Sequence, residues 1–178
     1  MADLVDNLID ILRINAERWR SLAGGIDRAL LARQPLPGEW SALQCINHAA
    51  DTESQVFAAR IRAIKDGRPS LPAYDPGIQA TPVTADTDPM ALAERLASQR
   101  RDSLALLASI SDDDLALRSR HLELGEVTLG ELLNEWAAHD TMHIVQAERA
   151  LMQPFIPASG PWRSYFADHD VDVPKPGA

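Results

Sequence analysis

Apolar residues recur every three or four positions over four long stretches of the chain, which is the period of an amphipathic α-helix. The first stretch predicts a helix over residues 2–23, ended by Gly24 and Gly25. Its apolar stripe consists of Leu4, Leu8, Ile11, Leu12, Trp19 and Leu22. A short helix is predicted over residues 27–32, ahead of two prolines.

The second stretch has a clear helix start. Ser41 is a suitable N-cap, because its hydroxyl can accept a hydrogen bond from the exposed amides of the first turn. The helix is predicted to run to Asp66, ahead of Gly67. Its main apolar stripe is Leu43, Ile46, Ala50, Phe57, Ile61 and Ile64. Residues 68–87 contain four prolines and little periodicity, so we predict a long loop, a type of segment that is often functional.

The third and fourth stretches also carry start signals. Asp88 followed by Pro89 predicts the third helix, which should end near Ile110, and the acidic residues after it are compatible with one more turn. Thr128 caps the fourth helix, which is predicted to run to Met152. Glu131, three residues after Thr128, completes a capping box with it.

The pattern as a whole predicts an all-α protein. We find no internal repeat and no convincing strand, and four long amphipathic helices with one long loop between helices 2 and 3 favour a four-helix bundle. Residues 1–152 are assigned to the bundle. Residues 153–178 form a proline-rich tail with Trp162, Tyr165 and Phe166, predicted to be extended and either packed on the bundle, at least in part, or partly disordered.

Composition narrows the function classes. The chain has 178 residues and no apolar run near the ~20 residues of a membrane span, and its first residues are acidic where a secretory signal would be basic. A cytoplasmic location without membrane contact is therefore expected. Cys45 is the single cysteine, which excludes an internal disulfide and cysteine-rich zinc modules. The net charge of −9, without a basic cluster, argues against nucleic acid as a partner.

The strongest chemical signal is the pair His139 and His143. Side chains four residues apart on a helix lie one turn apart on the same side, so both imidazoles can reach one metal ion. Both fall within the apolar stripe of helix 4, which comprises Leu129, Leu132, Leu133, Trp136, Ala147 and Ala150. They should therefore point into the bundle, where an imidazole needs a metal or a hydrogen-bond partner. The spacing alone leaves both interpretations open.

His48 is a weaker candidate when it is judged from helix periodicity. It lies roughly 170° from the centre of the apolar stripe of helix 2. This position favours a surface histidine. Only a helix that is covered on more than one side would place His48 inside the bundle.

Two motifs in this order resemble the DinB/YfiT-like metalloprotein superfamily. The segment PGEWS at 37–41 precedes His48, and TLGELL at 128–133 precedes the histidine pair. The resemblance extends from the first helix to about residue 152. It implies a four-helix bundle with a metal triad formed by one histidine of helix 2 and two of helix 4. The implied ligands in this chain are His48, His139 and His143.

Three neutral imidazoles would leave a divalent ion with open coordination positions, as in catalytic sites. Histidine ligation suits zinc, nickel or iron. The resemblance implies a metal-dependent enzyme acting on a small molecule, by transfer of a low-molecular-weight thiol, thiol-assisted isomerisation or hydrolysis. It also implies a homodimer, to which the tail aromatics could contribute contacts. The alternatives are a non-catalytic metal-binding stress-response or ligand-binding protein, and an interaction module whose histidines hold no metal.

Other side chains carry weaker signals, and no catalytic acid or base is assigned. Cys45 could close the site as a fourth ligand or be a small buried hydrophobe. Four polar side chains one turn from an implied ligand could orient it or lie in solvent: Gln44, Asp51, Glu135 and Gln146. His121 and His169 are expected at the surface. Trp162 could cover the site or contact a partner subunit.

Overall fold

Four long helical rods follow the four apolar stripes. The computed structural model describes residues 3–172. Its α-helices are α1 (Asp3–Gly25), α2 (Arg28–Leu31), α3 (Ala42–Thr52), α4 (Ala59–Lys65), α5 (Pro76–Gln79), α6 (Pro89–Leu107) and α7 (Leu129–Met152). A π-helix, Glu53–Ala58, joins α3 to α4, so the two form one rod. The predicted four-helix bundle is confirmed, and its rods are α1, α3–α4, α6 and α7.

The predicted helix starts rest on local hydrogen bonds that the structure contains. The Ser41 hydroxyl accepts from the backbone N–H of Gln44 at 3.2 Å, and the Gln44 side chain accepts from the Ser41 N–H at 2.9 Å. Asp88 caps α6, and Thr128 forms the predicted capping box with Glu131. Each cap satisfies amides that the first turn leaves without a helical partner.

The bundle core consists of two apolar clusters. Helix α1 packs against α6 and α7, and α3 packs against the same two helices. One cluster surrounds Phe57 and Trp136, and the other surrounds Trp19 and Ile144; all four side chains are at most 2% exposed. The His-bearing parts of α3 and α7 meet where these clusters adjoin.

The prediction that the chain contains no strand is wrong. Strands β1 (Arg118–His121) and β2 (Gly125–Thr128) form an antiparallel hairpin, and Gly125 takes a positive φ of 84° at its turn. The backbone N–H of Leu71 donates to the Arg120 carbonyl at 2.9 Å, which fixes the start of the 68–87 loop beside β1. The four residues of β1, RSRH, are all polar, so they lack the alternation of apolar and polar positions by which a strand is recognised from sequence.

The 68–87 loop is tied to the bundle at its centre. Apart from the four-residue α5 it lacks regular helix, as predicted. The fully buried Asp51 carboxylate accepts from the Thr81 N–H at 2.8 Å and from the Thr81 hydroxyl at 2.9 Å, and it pairs with Arg95 at 2.9 Å. This anchor holds the loop against α3 and α6.

The prediction that the tail is extended is wrong. Residues Pro157–Phe166 form 3-10 turns around Gly160, and Gln153 and Arg149 of the α7 end donate to the His169 carbonyl. Trp162 and Tyr165 are 62% and 79% exposed, so they do not cover the bundle. Residues 173–178 lie outside the described part of the chain, and the homodimer stays a prediction. Within residues 3–172 no helix has the length and apolarity needed to cross a membrane.

Candidate metal centre

Three histidines from two helices converge at one point. The Nε2 atom of His139 lies 3.2 Å from Nε2 of His48 and 3.2 Å from Nε2 of His143. One ligand atom of each histidine lies within 4.8 Å of those of the other two. The structure thus brings His48 of α3 to the α7 pair, against the position that helix periodicity gave it.

Helix α7 orients its two imidazoles through spacing and one hydrogen bond. The rings of His139 and His143 stand edge to face with centroids 4.4 Å apart. Nδ1 of His143 lies 2.8 Å from the side-chain oxygen of Gln146, which can only accept. Nδ1 therefore carries the proton of neutral His143, and the Nε2 lone pair points at the cluster. Gln146 thus has the orienting role considered from the sequence.

His48 reaches the cluster because α3 is covered on several sides. Ten of its eleven residues are buried, including His48 at 7% exposure. The Trp40 ring lies 4.8 Å from the His48 ring and is stacked at 5.6 Å on that of His143. Nδ1 of His48 is buried without a hydrogen-bond partner among the described residues.

Aromatic rings also line the other sides of the cluster. Phe57 of the π-helix stacks on Trp136 with centroids 4.9 Å apart and meets the His139 ring edge to face at 5.2 Å. Tyr74 of the 68–87 loop lies 6.4 Å from the His48 ring. Short π-helices often occur at functional sites, and here the π-helix supplies the Phe57 ring beside His139. His139 is the one partly exposed member of the triad.

The imidazoles are neutral at physiological pH. Burial, followed by the charge of His143, lowers the pKa of His48 to about 4. Burial and the neighbouring histidine charges lower the pKa of His139 to about 3, and burial lowers the pKa of His143. Neutral imidazole is the form that binds metal ions.

The donor set fits a divalent ion. Nitrogens about 2.0–2.1 Å from a tetrahedral ion lie about 3.3–3.4 Å apart, close to the two 3.2 Å separations. Two neutral imidazoles that turn lone pairs toward each other gain nothing without a cation or proton between them. One proton on Nε2 of His139 could make only one of the two 3.2 Å contacts a hydrogen bond, whereas one cation can serve both.

Comparison with known proteins places the chain in a family. The sequence profile of the DinB superfamily matches residues 11–147, most of the chain. This chain belongs to the DinB superfamily. Its structure is similar to that of YfiT from Bacillus subtilis, with a TM-score of 0.73 and 20% sequence identity over 84% of this chain and 86% of that one. That protein is described as a probable metal-dependent hydrolase with an unusual four-helix bundle topology. A comparison with curated proteins gives no match.

The other side chains considered from the sequence lie elsewhere in this DinB-superfamily fold. Cys45 is fully buried in an apolar cluster, burial raises its pKa to about 12, and it is outside the group of converging ligand atoms. Gln44 serves the Ser41 cap, and Asp51 holds the loop. Glu135 makes no hydrogen bond to an imidazole in the described structure. His169 is exposed, as expected, whereas His121 is half-buried.

A buried ionic network that was not predicted from the sequence lies next to the site. Arg100 of α6 is 1% exposed and donates to Glu53 at 2.8 Å and to Asp140 at 2.7 Å. Asn15 of α1 also donates to Asp140, at 2.7 Å. Asp140 lies between His139 and His143 in the sequence, so the network fixes α7 at the histidine triad relative to the other rods. The signal for this network in the sequence is an acidic residue, Asp140, at the centre of the apolar stripe of α7.

The metal-free protein is expected to lose stability as pH falls through the range set by His48. Its folded pKa of about 4 lies below the reference value of 6.5, so between these values the unfolded chain binds more protons. The free energy of unfolding should fall by on the order of 3 kcal/mol over this range from His48. Urea unfolding with a chelator at several pH values measures it. His48→Asn serves as the comparison, and equal losses in both proteins would contradict the prediction.

Proposed function

We propose that this protein is a metal-dependent hydrolase of small molecules, with a divalent ion bound by His48, His139 and His143. The observation that carries the proposal is the convergence of three neutral imidazole nitrogens, with no carboxylate or thiol joining them among residues 3–172. Such a donor set leaves coordination positions for water and substrate. The description of YfiT as a probable metal-dependent hydrolase supports the same function. Zinc, nickel and iron all suit the ligands.

The chain's own residues would prepare the site for this chemistry. A divalent ion at three histidines supplies Lewis acidity and lowers the pKa of a coordinated water or thiol. Gln146 holds the His143 ring in the tautomer that presents Nε2. Trp40 and Phe57 pack against the imidazoles and exclude water from two sides. Partly exposed His139 marks the side from which a substrate can approach.

Thiol transfer is a second candidate, favoured by the lack of a free general base. Among the described residues no carboxylate hydrogen-bonds to an imidazole of the triad. The buried acids Asp51 and Asp140 lie near triad histidines in the sequence, but both already have partners. Asp51 accepts a hydrogen bond from Thr81 and pairs with Arg95, and Asp140 pairs with Arg100. A thiol acidified by the ion would need no such base to attack an electrophile. Ligand capture without turnover is the non-catalytic alternative.

Turnover by the metal-loaded protein tests the proposal. We expect hydrolysis of activated esters such as 4-nitrophenyl acetate above the rate with free metal. His139→Ala should lower kcat/KM about a hundredfold or more, because it removes a ligand of the ion. His169→Ala is the matched control, since His169 is an exposed histidine of the tail. Stopped assays with and without a chelator measure both effects.

Each outcome distinguishes the candidates. Hydrolysis that needs metal and His139 supports the hydrolase. No hydrolysis, but metal-dependent conjugation of a small thiol such as cysteine with an activated electrophile, supports the thiol transferase. Tight zinc binding with neither reaction above the free-metal rate supports the non-catalytic alternative and overturns the proposal.

A further inference from the structure

A cavity of about 660 Å³ lies directly beside the triad, with His143 in its lining. Its walls come from α7, from the turn at residues 35–40 ahead of α3, and from the tail, which contributes Val171. Gln146, whose side chain is hydrogen-bonded to His143, also lines it. We call this space the Trp40 cavity, after a ring that it shares with the triad.

The Trp40 side chain connects the cavity with the triad. Its ring is stacked on the His143 ring at 5.6 Å and lies 4.8 Å from the His48 ring, and the same residue lines the cavity. Trp40 is only half-buried, so its contacts with the imidazoles leave part of it uncovered. An aromatic group in the cavity can pack against the uncovered part of this indole.

The side of α7 that exposes His139 continues into the cavity. Met142, Gln146 and Arg149 follow His139 at distances of three, seven and ten residues, which is the spacing of one helix face. All three line the cavity. At 1.5 Å per residue, this face extends about 15 Å from His139 to Arg149. A substrate that approaches the triad at His139 therefore has the cavity beside it along the same helix.

The walls of the cavity are largely apolar, and its charges balance. Met142 and Val145 of α7 are each about half exposed there. Apolar side chains that lie open together beside a site are typical of a surface that a ligand covers. Glu39 and Arg149 are the charged residues of the lining, one of each sign, and Nε of Arg149 already donates to the His169 carbonyl at 2.9 Å. The lining therefore favours a neutral apolar group over an anion or a cation.

We propose that the Trp40 cavity binds the apolar part of the substrate, so that the substrates are small molecules in which a hydrolysable ester or amide is joined to a neutral aromatic group. This inference rests on the proposed function, since it names the substrate class of the same centre. Trp40 offers its ring to the aromatic group, and Met142 and Val145 offer aliphatic contact.

Two hydroxamates measure the contribution of the cavity without turnover. Acetohydroxamate and 3-phenylpropionohydroxamate bind a divalent ion through the same group, and only the second carries a ring. In calorimetric titrations of the full-length, zinc-loaded protein we expect a Kd about tenfold to a hundredfold lower for the phenyl compound, because binding removes the ring from water. Val145→Asp should remove most of this difference, because the ring would desolvate the new charge. Met142→Ala should remove part of it.

Leu124→Asp is the matched control. Leu124 is also an exposed apolar residue, but it lines a separate cavity of about 240 Å³ beside His121. This variant should leave the ratio of the two Kd values unchanged. A ratio that falls in Leu124→Asp and not in Val145→Asp would place the ring in the other cavity and overturn the inference.

Hydrolysis of 4-nitrophenyl acetate by the same preparations separates this inference from the proposed function. Tighter binding of the phenyl compound that Val145→Asp abolishes, without hydrolysis above the free-metal rate, would support the cavity as a ligand site and contradict the hydrolase. Hydrolysis that requires His139, with equal Kd values for the two hydroxamates, would support the hydrolase and overturn the aromatic substrate class. Equal Kd values together with a dimer in light scattering would assign the cavity to a second copy of the chain and also overturn it. Circular dichroism of each variant checks that the fold is retained.

Discussion

Replacing Arg100 with alanine is expected to lower the free energy of unfolding by about 4–5 kcal/mol, the largest effect of any substitution considered. Arg100 neutralises two buried carboxylates, those of Glu53 and Asp140, which are 1% and 3% exposed. Burial by itself would lower the pKa of Arg100, but the charges and hydrogen bonds of Asp140 and Glu53 outweigh it, so the pKa is raised. Without the guanidinium, both acids would be buried without their cation, or would have to take up protons.

Urea unfolding followed by far-ultraviolet circular dichroism measures this loss. Arg101→Ala is the matched control on the same helix, because Arg101 is exposed and its change should stay within about 0.5 kcal/mol. Arg100→Lys should show an intermediate loss, since lysine keeps the charge but cannot bond both acids with a planar fork. If Arg100→Ala differs from Arg101→Ala by less than about 1 kcal/mol, the network does not stabilise the bundle.

The helix starts could be predicted because their causes are local. Ser41, Asp88 and Thr128 each accept from amides two or three residues ahead, so the sequence around each contains the whole interaction. The helix ends differ from the predicted ends by two or three residues. Helix α1 continues to Gly25, two residues beyond the predicted end, and α6 ends at Leu107 rather than near Ile110.

His48 shows where helix periodicity fails. The apolar stripe was counted through Phe57 as if the helix were regular, but a π-helix over Glu53–Ala58 interrupts that count. Helix periodicity also presupposes a single buried face, whereas α3 packs against both α6 and α7. The motif resemblance pointed to the convergence of His48 with the α7 pair that the structure shows, while metal binding by the triad stays a prediction.

The buried ionic network could have been predicted from the same stripes. Asp140 lies four residues after Trp136 and seven before Ala147, in the middle of the α7 stripe. Glu53 and Arg100 occupy equivalent central positions on the second and third rods. Buried charges need partners, so three charges at stripe centres, two acidic and one basic, predict each other.

The β-hairpin and the position of the 68–87 loop could not be predicted in this way. The hairpin depends on backbone pairing between mostly polar residues, and the loop is positioned by a backbone hydrogen bond to that hairpin. Backbone pairing of this kind leaves little trace in side-chain pattern.

Zinc is expected to stabilise the folded protein, and His143→Ala should remove most of that gain. An ion that binds only the folded state adds about 4 kcal/mol at a thousandfold excess over Kd. For a chain of this size the gain corresponds to a Tm increase of about 10 °C. Alanine is a good helix former, so the substitution keeps α7 while it removes one of the three converging nitrogens.

The measured quantity is the zinc-induced change in Tm for each protein, above neutral pH, where the imidazoles are neutral in both folded and unfolded chains. Because each protein is compared with its own metal-free form, the cavity left by the lost ring does not enter the result. Gln146→Ala should reduce the gain only partly, since it frees Nδ1 of His143 but leaves Nε2 in place. An unchanged zinc-induced shift in His143→Ala would mean that the ion binds elsewhere, because two imidazoles cannot match the affinity of three.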